Sequence, residues 1–262
     1  MLVASFSDPV AVNNGQTYFL PQGISLEGYL LVFQNENILT GYKNSIIYTI
    51  IGTVVKVSLT ISAAYVLSRK DVPGKNLFTF LFVFTMFFHG GLIPTYLLVK
   101  QLNLVNTMWA LILPGAVPVY YLIITRTFFQ TTISDDLLEA SQMDGCSDWK
   151  FFFRIVLPLS MPIIAVIALF SAVQEWNSYF KALLYLQDWK KQPLQVVLRQ
   201  ILVQSQVDVN MITNADAANA REKVAEQIKY ALIIFASVPM LVLYPFVQRY
   251  FVKGIMIGSL KG

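Results

Sequence analysis

The chain has 262 residues, 56% of them hydrophobic and 13% charged, where an ordinary soluble domain carries roughly 25% charged residues. With a mean hydropathy of +0.58, there is too little polar surface to cover a water-facing fold, which excludes a soluble globular protein, disorder, collagen and a coiled coil. The net charge of +4 is modest, and one cysteine (Cys146) and one histidine (His89) allow no internal disulfide and no His-rich metal site, so neither a metal nor a nucleic-acid partner is expected.

Residues 1–44 carry neither a charged n-region nor a long apolar h-region. Leu2-Val3-Ala4 running into Ser5-Phe6-Ser7-Asp8-Pro9 reads like the end of a span entering a loop, as if a first helix were truncated. Crossing about 30 Å of hydrocarbon takes about 20 mostly apolar residues, and five such stretches follow. They run from about Ser45 to Leu67, Leu77 to Val99, Met108 to Thr125, Pro158 to Leu186 and Tyr230 to Val247.

The turn between the first two holds Arg69, Lys70 and Lys75, which the positive-inside rule places in the cytoplasm. Alternation then gives an extracytoplasmic segment over residues 1–44, spans one to three within 45–125 and a cytoplasmic loop over 126–157. Spans four and five lie within 158–250 around an external segment 187–229, and 251–262 form a cytoplasmic tail with Lys253 and Lys261. The external segment carries six basic residues of its own, against the rule, although long loops obey it poorly.

In span one, Thr49, Thr53, Lys56 and Thr60 recur at helical spacing on one face, which should turn away from lipid. A lysine at mid-span marks a bundle interior or a wet cavity, or else pairs quietly with a neighbour. In span two, His89-Gly90-Gly91 and Pro94 break or bend the helix, as a pore-lining kink or as a site of close helix packing. Span four carries Gln174-Glu175-Trp176-Asn177-Ser178-Tyr179, with Ser171, Gln174, Ser178 and Lys181 on one face. Amides bond sugar hydroxyls in both directions and aromatic rings cover the C–H face of a pyranose, so Gln174, Trp176, Asn177 and Tyr179 are candidates for a carbohydrate path. An interfacial aromatic belt and amide glue between helices explain the same residues.

The segment from Ser134 to Pro158 is the richest. Ser134 is an N-cap, Asp135 and Asp136 suit the first turn of a helix running to Gln142, and Gly145 allows a left-handed reversal. Ser147-Asp148 then cap a second helix through Phe151-Phe152-Phe153, Ile155 and Val156; Pro158 biases Leu157 away from the helical region and marks the hinge into span four, with Pro162 one turn later.

Glu139-Ala140-Ser141, three residues, Gly145, nine residues and Ile155-Val156-Leu157-Pro158 resemble the EAA loop of permease subunits in binding-protein-dependent ABC importers. Ser141 stands where alanine is usual, and Ser134 where proline is common. Tyr96, Asn106-Thr107, Pro114, Arg126-Thr127-Phe128-Phe129, Asp144-Gly145 and Trp176-Asn177 are similar to the carbohydrate branch, on its maltose-permease-G-like side and nearest the lipoprotein-linked C-type permeases of Gram-positive bacteria.

The resemblance covers nearly the whole chain. It implies an all-α polytopic helix bundle of the type I ABC importer permease kind in the bacterial cell membrane. Such a subunit has six helices; five are visible, and the missing one would be the first. It implies a coupling helix seated in a separate ATPase, with Glu139, Ala140, Ser141, Asp144, Gly145, Ile155, Leu157 and Pro158 as the coupling set. Its partners would be a second permease, ATPase subunits that bind ATP and Mg, and an external sugar-binding lipoprotein. The chain itself is expected to be no enzyme and to hold no cofactor: its Gly74-Lys75 pair lacks the earlier glycine of a phosphate loop, and no nucleophile and base cluster at membrane depth. The rival reading is a proton-coupled secondary transporter, for which Glu175 would be the titrating carboxylate.

Overall fold

The computed structural model describes residues 2–8, 11, 12, 15, 19–21, 23–211, 228–245 and 248. Among these the chain is helical, with one isolated bridge between Ser7 and Ile24 and no strand. Its helices of six residues or more are α1 (Glu27–Gln34), α2 (Glu36–Ser68), α3 (Lys75–Phe87), α4 (Leu92–Gln101), α5 (Val119–Thr132) and α6 (Asp135–Met143). There follow α7 (Asp148–Leu159), α8 (Met161–Trp176), α9 (Phe180–Tyr185), α10 (Leu194–Met211) and α11 (Ile228–Pro245).

Helices α2 and α11 are each long and apolar enough to cross a bilayer. The pairs α3 with α4, bent by 115°, and α7 with α8, bent by 78°, are each apolar enough together for one broken span or a re-entrant loop. Gly90 and Gly91 lie in the first break; Gly91 has φ +88°, and no atom stands within 4 Å of where its Cβ would be. The glycines therefore serve the bend rather than close packing inside this chain.

The stretch Met108–Thr125, expected as one span, is instead a four-residue helix Trp109–Ile112 and the start of α5. Pro114, Gly115 at φ +94° and Pro118 intervene, and two missing amide donors plus a left-handed residue interrupt the hydrogen-bond ladder. The expected span from Pro158 to Leu186 ends at Trp176, and α9 follows after a break. Ser178 and Lys181 therefore do not continue the Ser171–Gln174 face. The segment 187–229 is not merely a polar loop, since it contains α10; its residues 212–227 and the tail 251–262 lie outside the described residues.

The hinge also differs from expectation. Leu157 is helical (φ −61°, ψ −48°), and the chain breaks at Ser160. Residues Phe152–Val156 form a wide π-turn ahead of Pro158. That turn makes room for the pyrrolidine ring and needs no amide donor from it, so the steric bias on Leu157 is overridden.

The chain divides into two compact units, residues 1–48 with 176–243 and residues 49–175 with 244–262. In the first, Val32, Ile38, Trp176, Leu194, Val197 and Leu232 form the core. Ser45 Oγ accepts the Leu194 amide at 2.8 Å, and Asn44 and Tyr48 donate to the carbonyls of Lys190, Lys191 and Gln192. These bonds satisfy carbonyls of the 3-10 turn Trp189–Lys191 and of Gln192 just after it.

In the second unit, the α2 residues Ile61 and Ala64 pack with Phe129 of α5, Phe151, Phe152 and Val156 of α7 and Ile163 and Ile167 of α8. The opposite face of α2, with Ile50, Val54, Leu59 and Val66, is exposed and suits lipid. Its polar face turns inward as expected: Thr49, Lys56 and Thr60 are buried, and Lys56 is only 1% exposed. Lys56 Nζ lies 2.5 Å from Glu175 Oε1 and donates to Gln174 Oε1 at 3.2 Å. Gly52 makes room for the pair, since a Cβ there would come within 3.0 Å of Glu175 Cγ.

Breaking one partner of a buried pair strands a charge and costs about 3–5 kcal/mol, whereas replacing both with apolar groups is often close to neutral. Glu175→Gln and Lys56→Met should each lower the unfolding temperature in detergent, and Lys56→Met with Glu175→Met should recover most of the loss. A double variant as unstable as the sum of the singles would contradict the pairing.

Candidate functional site: the α6–α7 loop

Helix α6 has nine residues, too few to persist alone in water, and both of its ends are closed by local chemistry. Ser134 Oγ accepts the Leu137 amide at 3.4 Å, and Asp135 and Asp136 occupy the positive first turn. At the other end the Cys146 amide donates to the Ser141 carbonyl and the Gly145 amide to the Gln142 carbonyl, both at 2.9 Å. This is a Schellman closure, and it requires the left-handed φ of +71° that Gly145 adopts. Ser147 Oγ, accepting the Lys150 amide, then opens α7.

The two faces of α6 differ. Leu137 and Leu138 pack on the aromatic core beneath, and Ser141 is buried with its hydroxyl on the Leu138 carbonyl at 2.7 Å. Glu139, Ala140, Gln142, Asp144 and Gly145 are exposed, and Met143 is 89% exposed. Of the expected coupling set, Glu139, Ala140, Asp144 and Gly145 thus lie on one outward surface. Ser141 does not; it spaces the helix from the core. Ile155 and Leu157 are partly buried against the same core, and Pro158 is exposed on the way to the Ser160 break.

The turn after α2 touches this loop in a way the sequence reading missed. Arg69 Nη1 donates to Asp148 Oδ1 at 2.7 Å, and its Nε and Nη2 donate to Asp71 at 2.8 and 2.6 Å. Lys70 pairs with Asp135, and Lys75 Nζ donates to the Arg69 carbonyl at 2.9 Å. The hydrogen bonds from Arg69 hold the Asp71 carboxyl below its usual range. A carboxyl depressed in the folded state contributes stability that is in full force above its unfolded value and is lost as pH falls through the lower, folded one. Partners 65 and 79 positions apart leave no local spacing signal.

The span-four candidates are placed individually. Gln174 is exposed, with its carbonyl oxygen turned to Lys56. Lysine only donates, so the outward atom of that amide is its NH₂ group. Trp176 is 3% exposed, with its indole N–H on the Ala236 carbonyl at 3.1 Å and its ring edge-on to Tyr42. Its polar atom thus finds a partner inside the core of the first unit. Asn177 is exposed, and Tyr179 is partly buried with the Arg199 guanidinium 5.2 Å over its ring.

Residues 38–257 match the model of the family described as "Binding-protein-dependent transport system inner membrane component". The chain belongs to this family. The permease is 42% identical over its whole length to Protein LplC of Bacillus subtilis, covering 88% of that protein. It is 44% identical to the polygalacturonan/rhamnogalacturonan transport system permease protein YtcP of the same organism, covering all of this chain and 91% of that one. Among solved structures it resembles a bacterial ABC transporter involved in the import of the acidic polysaccharide alginate. That match has a TM-score of 0.85 and 32% identity, and covers 95% of this chain and 88% of that one. The permease is thus an inner-membrane component of an ATP-driven importer with the type I permease fold expected from its sequence.

Nothing lies within 4 Å of a Cβ built on Gly145, so a Cβ there meets no clash, and its cost is the conformational penalty of about 1–2 kcal/mol for the left-handed backbone. Gly145→Val should speed hydrogen exchange at the Cys146 amide, and Gly145→Asn should do so less. Unchanged exchange in the valine variant would contradict the closure described.

Proposed function

We propose that α6 is the coupling helix of the permease and that its outward face, centred on Glu139, is gripped by a separate ATPase subunit on the cytoplasmic side. The observation that carries this reading is the pairing of opposites in one short helix. Its ends are closed and its inner face is packed, while Glu139, Ala140 and Met143 are turned to the outside. Glu139 pairs with a basic residue of the partner, Ala140 permits close approach, and Asp144 and Gly145 form the rim. Ile155, Leu157 and Pro158 transmit the motion of the loop through the π-turn to the Ser160 break, and Ser141 keeps α6 at its distance from the core. ATP and Mg are held by the ATPase, which performs the hydrolysis; this chain supplies no catalytic group and moves as a lever. Such a lever works only if nucleotide binding favours one arrangement of the permease over the other, since equal affinity for both shifts nothing.

A second permease subunit and an external sugar-binding lipoprotein complete the importer in this reading. Its substrate is an oligosaccharide, and uronate-bearing chains fit best, because one relative is named for polygalacturonan and rhamnogalacturonan and the related structure concerns alginate. Gln174, Asn177 and Tyr179 are the residues we assign to the sugar path. The outward NH₂ of Gln174 donates to a sugar oxygen, and Trp176 serves as scaffold within its own core. Glu175, the carboxylate a proton-coupled carrier would use, is instead tied to Lys56.

Reversing a charge at a desolvated contact costs several kcal/mol. Glu139→Lys should therefore reduce the ATPase retained per permease in detergent by about 10-fold or more, with membrane insertion unchanged. Full retention of the ATPase would refute the coupling assignment. In vesicles, Gln174→Leu should weaken uptake of oligogalacturonate; uptake equal to that of the unaltered permease would remove Gln174 from the path.

A further inference from the structure

We propose that Arg69 and Lys70 are positioning residues that clamp the α6–α7 loop to the end of α2, so that the loop and α2 move as one body when the ATPase acts. This inference rests on reading α6 as the coupling helix. Two consecutive side chains, just after the last residue of α2, reach two acidic residues that bracket the whole of α6 and its turn. Asp135 is the first residue of α6, and Asp148 is the first of α7.

The two contacts are unequal. Lys70 and Asp135 are both well exposed, and a lone pair of that kind contributes little. Arg69 differs, because its side chain is only 12% exposed and all three of its guanidinium nitrogens donate. Asp71 takes two of its nitrogens side by side, which fixes the plane of the fork. The remaining nitrogen donates to Asp148 and, at 3.3 Å, to the hydroxyl of Tyr65. The carbonyl of Arg69 is held by Lys75, and that of Leu67 by Arg126 Nε at 3.0 Å. The donor is thus anchored to α2 before it reaches the loop.

A space beside the first turn of α6 gives the clamp its role. A cavity of about 410 Å³ separates the first turn of α6 from the end of α2, bordered by Tyr65, Arg69, Lys70, Ser134, Asp135 and Asp136. Leu137 and Leu138 pack on the core behind this cavity, and the polar bridges close its edge, so that together they fix the distance between the two elements. At the level of α7 the bridge is reinforced by Tyr65, whose ring meets Phe152 at 4.8 Å and Phe129 at 6.2 Å. Any displacement of α6 is therefore passed to the helix that carries Lys56 on its buried face.

The experiment is a pulsed-EPR distance measurement on the assembled importer in nanodiscs. Nitroxides are placed at Val66→Cys on α2 and Gln142→Cys on α6 in a Cys146→Ser background, with and without ATP and Mg. The clamp predicts a narrow distance distribution that nucleotide does not shift. Arg69→Gln and Asp148→Asn should each broaden it about two-fold, the double variant should be no broader than either single one, and Asp71→Asn should broaden it less. A nucleotide-dependent shift in the unaltered protein, an unbroadened distribution in both single variants, or additive broadening in the double variant would each overturn the proposal. If Arg69→Gln does not assemble, Arg69→Lys takes its place in the cycle and is judged by the same outcomes. Retention of the ATPase by Glu139→Lys would remove the coupling-helix reading separately, because the EPR distance lies within this chain and does not depend on how the ATPase is held.

Discussion

The constraint on which the account depends is that a nine-residue helix must be rigid without being buried. Marginal by length, α6 is held by its ends and by one face: the Ser134 cap, the Schellman closure at Gly145 and the seating of Leu137 and Leu138 on the aromatic core. That leaves its remaining surface, acidic at Glu139 and apolar at Met143, free to be held by something else. A loosely held segment with the same exposed residues would absorb a push instead of transmitting it.

The membrane-facing part of the chain obeys the complementary rule. In the middle of α2, Ile50 and Val54 face outward while Thr49 and Lys56 face inward, because lipid satisfies the first pair but not the second. The cation is then balanced by Glu175 and by the oxygen of Gln174, which in turn fixes which end of that amide looks outward. A buried charge that would be a liability in isolation so becomes the device that orients a neighbouring side chain.

Features governed by short-range chemistry were legible in the sequence. The caps at Ser134 and Ser147, the reversal at Gly145, the buried stripe through Lys56 and the bend at Gly91 all follow from residues within a turn or two of one another. The EAA spacing led to the family that the comparison then showed. Features that depend on distant partners were not legible. Trp176 reads as a surface aromatic until the Ala236 carbonyl accepts its N–H from 60 positions away. Pro158 next to Leu157 points to a hinge there, but the π-turn over Phe152–Val156 relieves that clash and the break lies at Ser160. Arg69 and Lys70 reported sidedness in the sequence; their contacts with Asp148 and Asp135 become visible only when the loop is folded.

The most direct test of the central claim is a comparison of two adjacent positions on α6, one exposed and one buried. In a Cys146→Ser background, Gln142→Cys and Ser141→Cys are each treated with a short thiol-to-amine cross-linker in membranes containing the whole importer. The account predicts an efficient adduct between the permease and the ATPase from position 142, with a yield that changes on adding ATP and Mg, and little from position 141. Equal yields from the two positions, or no ATPase adduct from position 142, would contradict it.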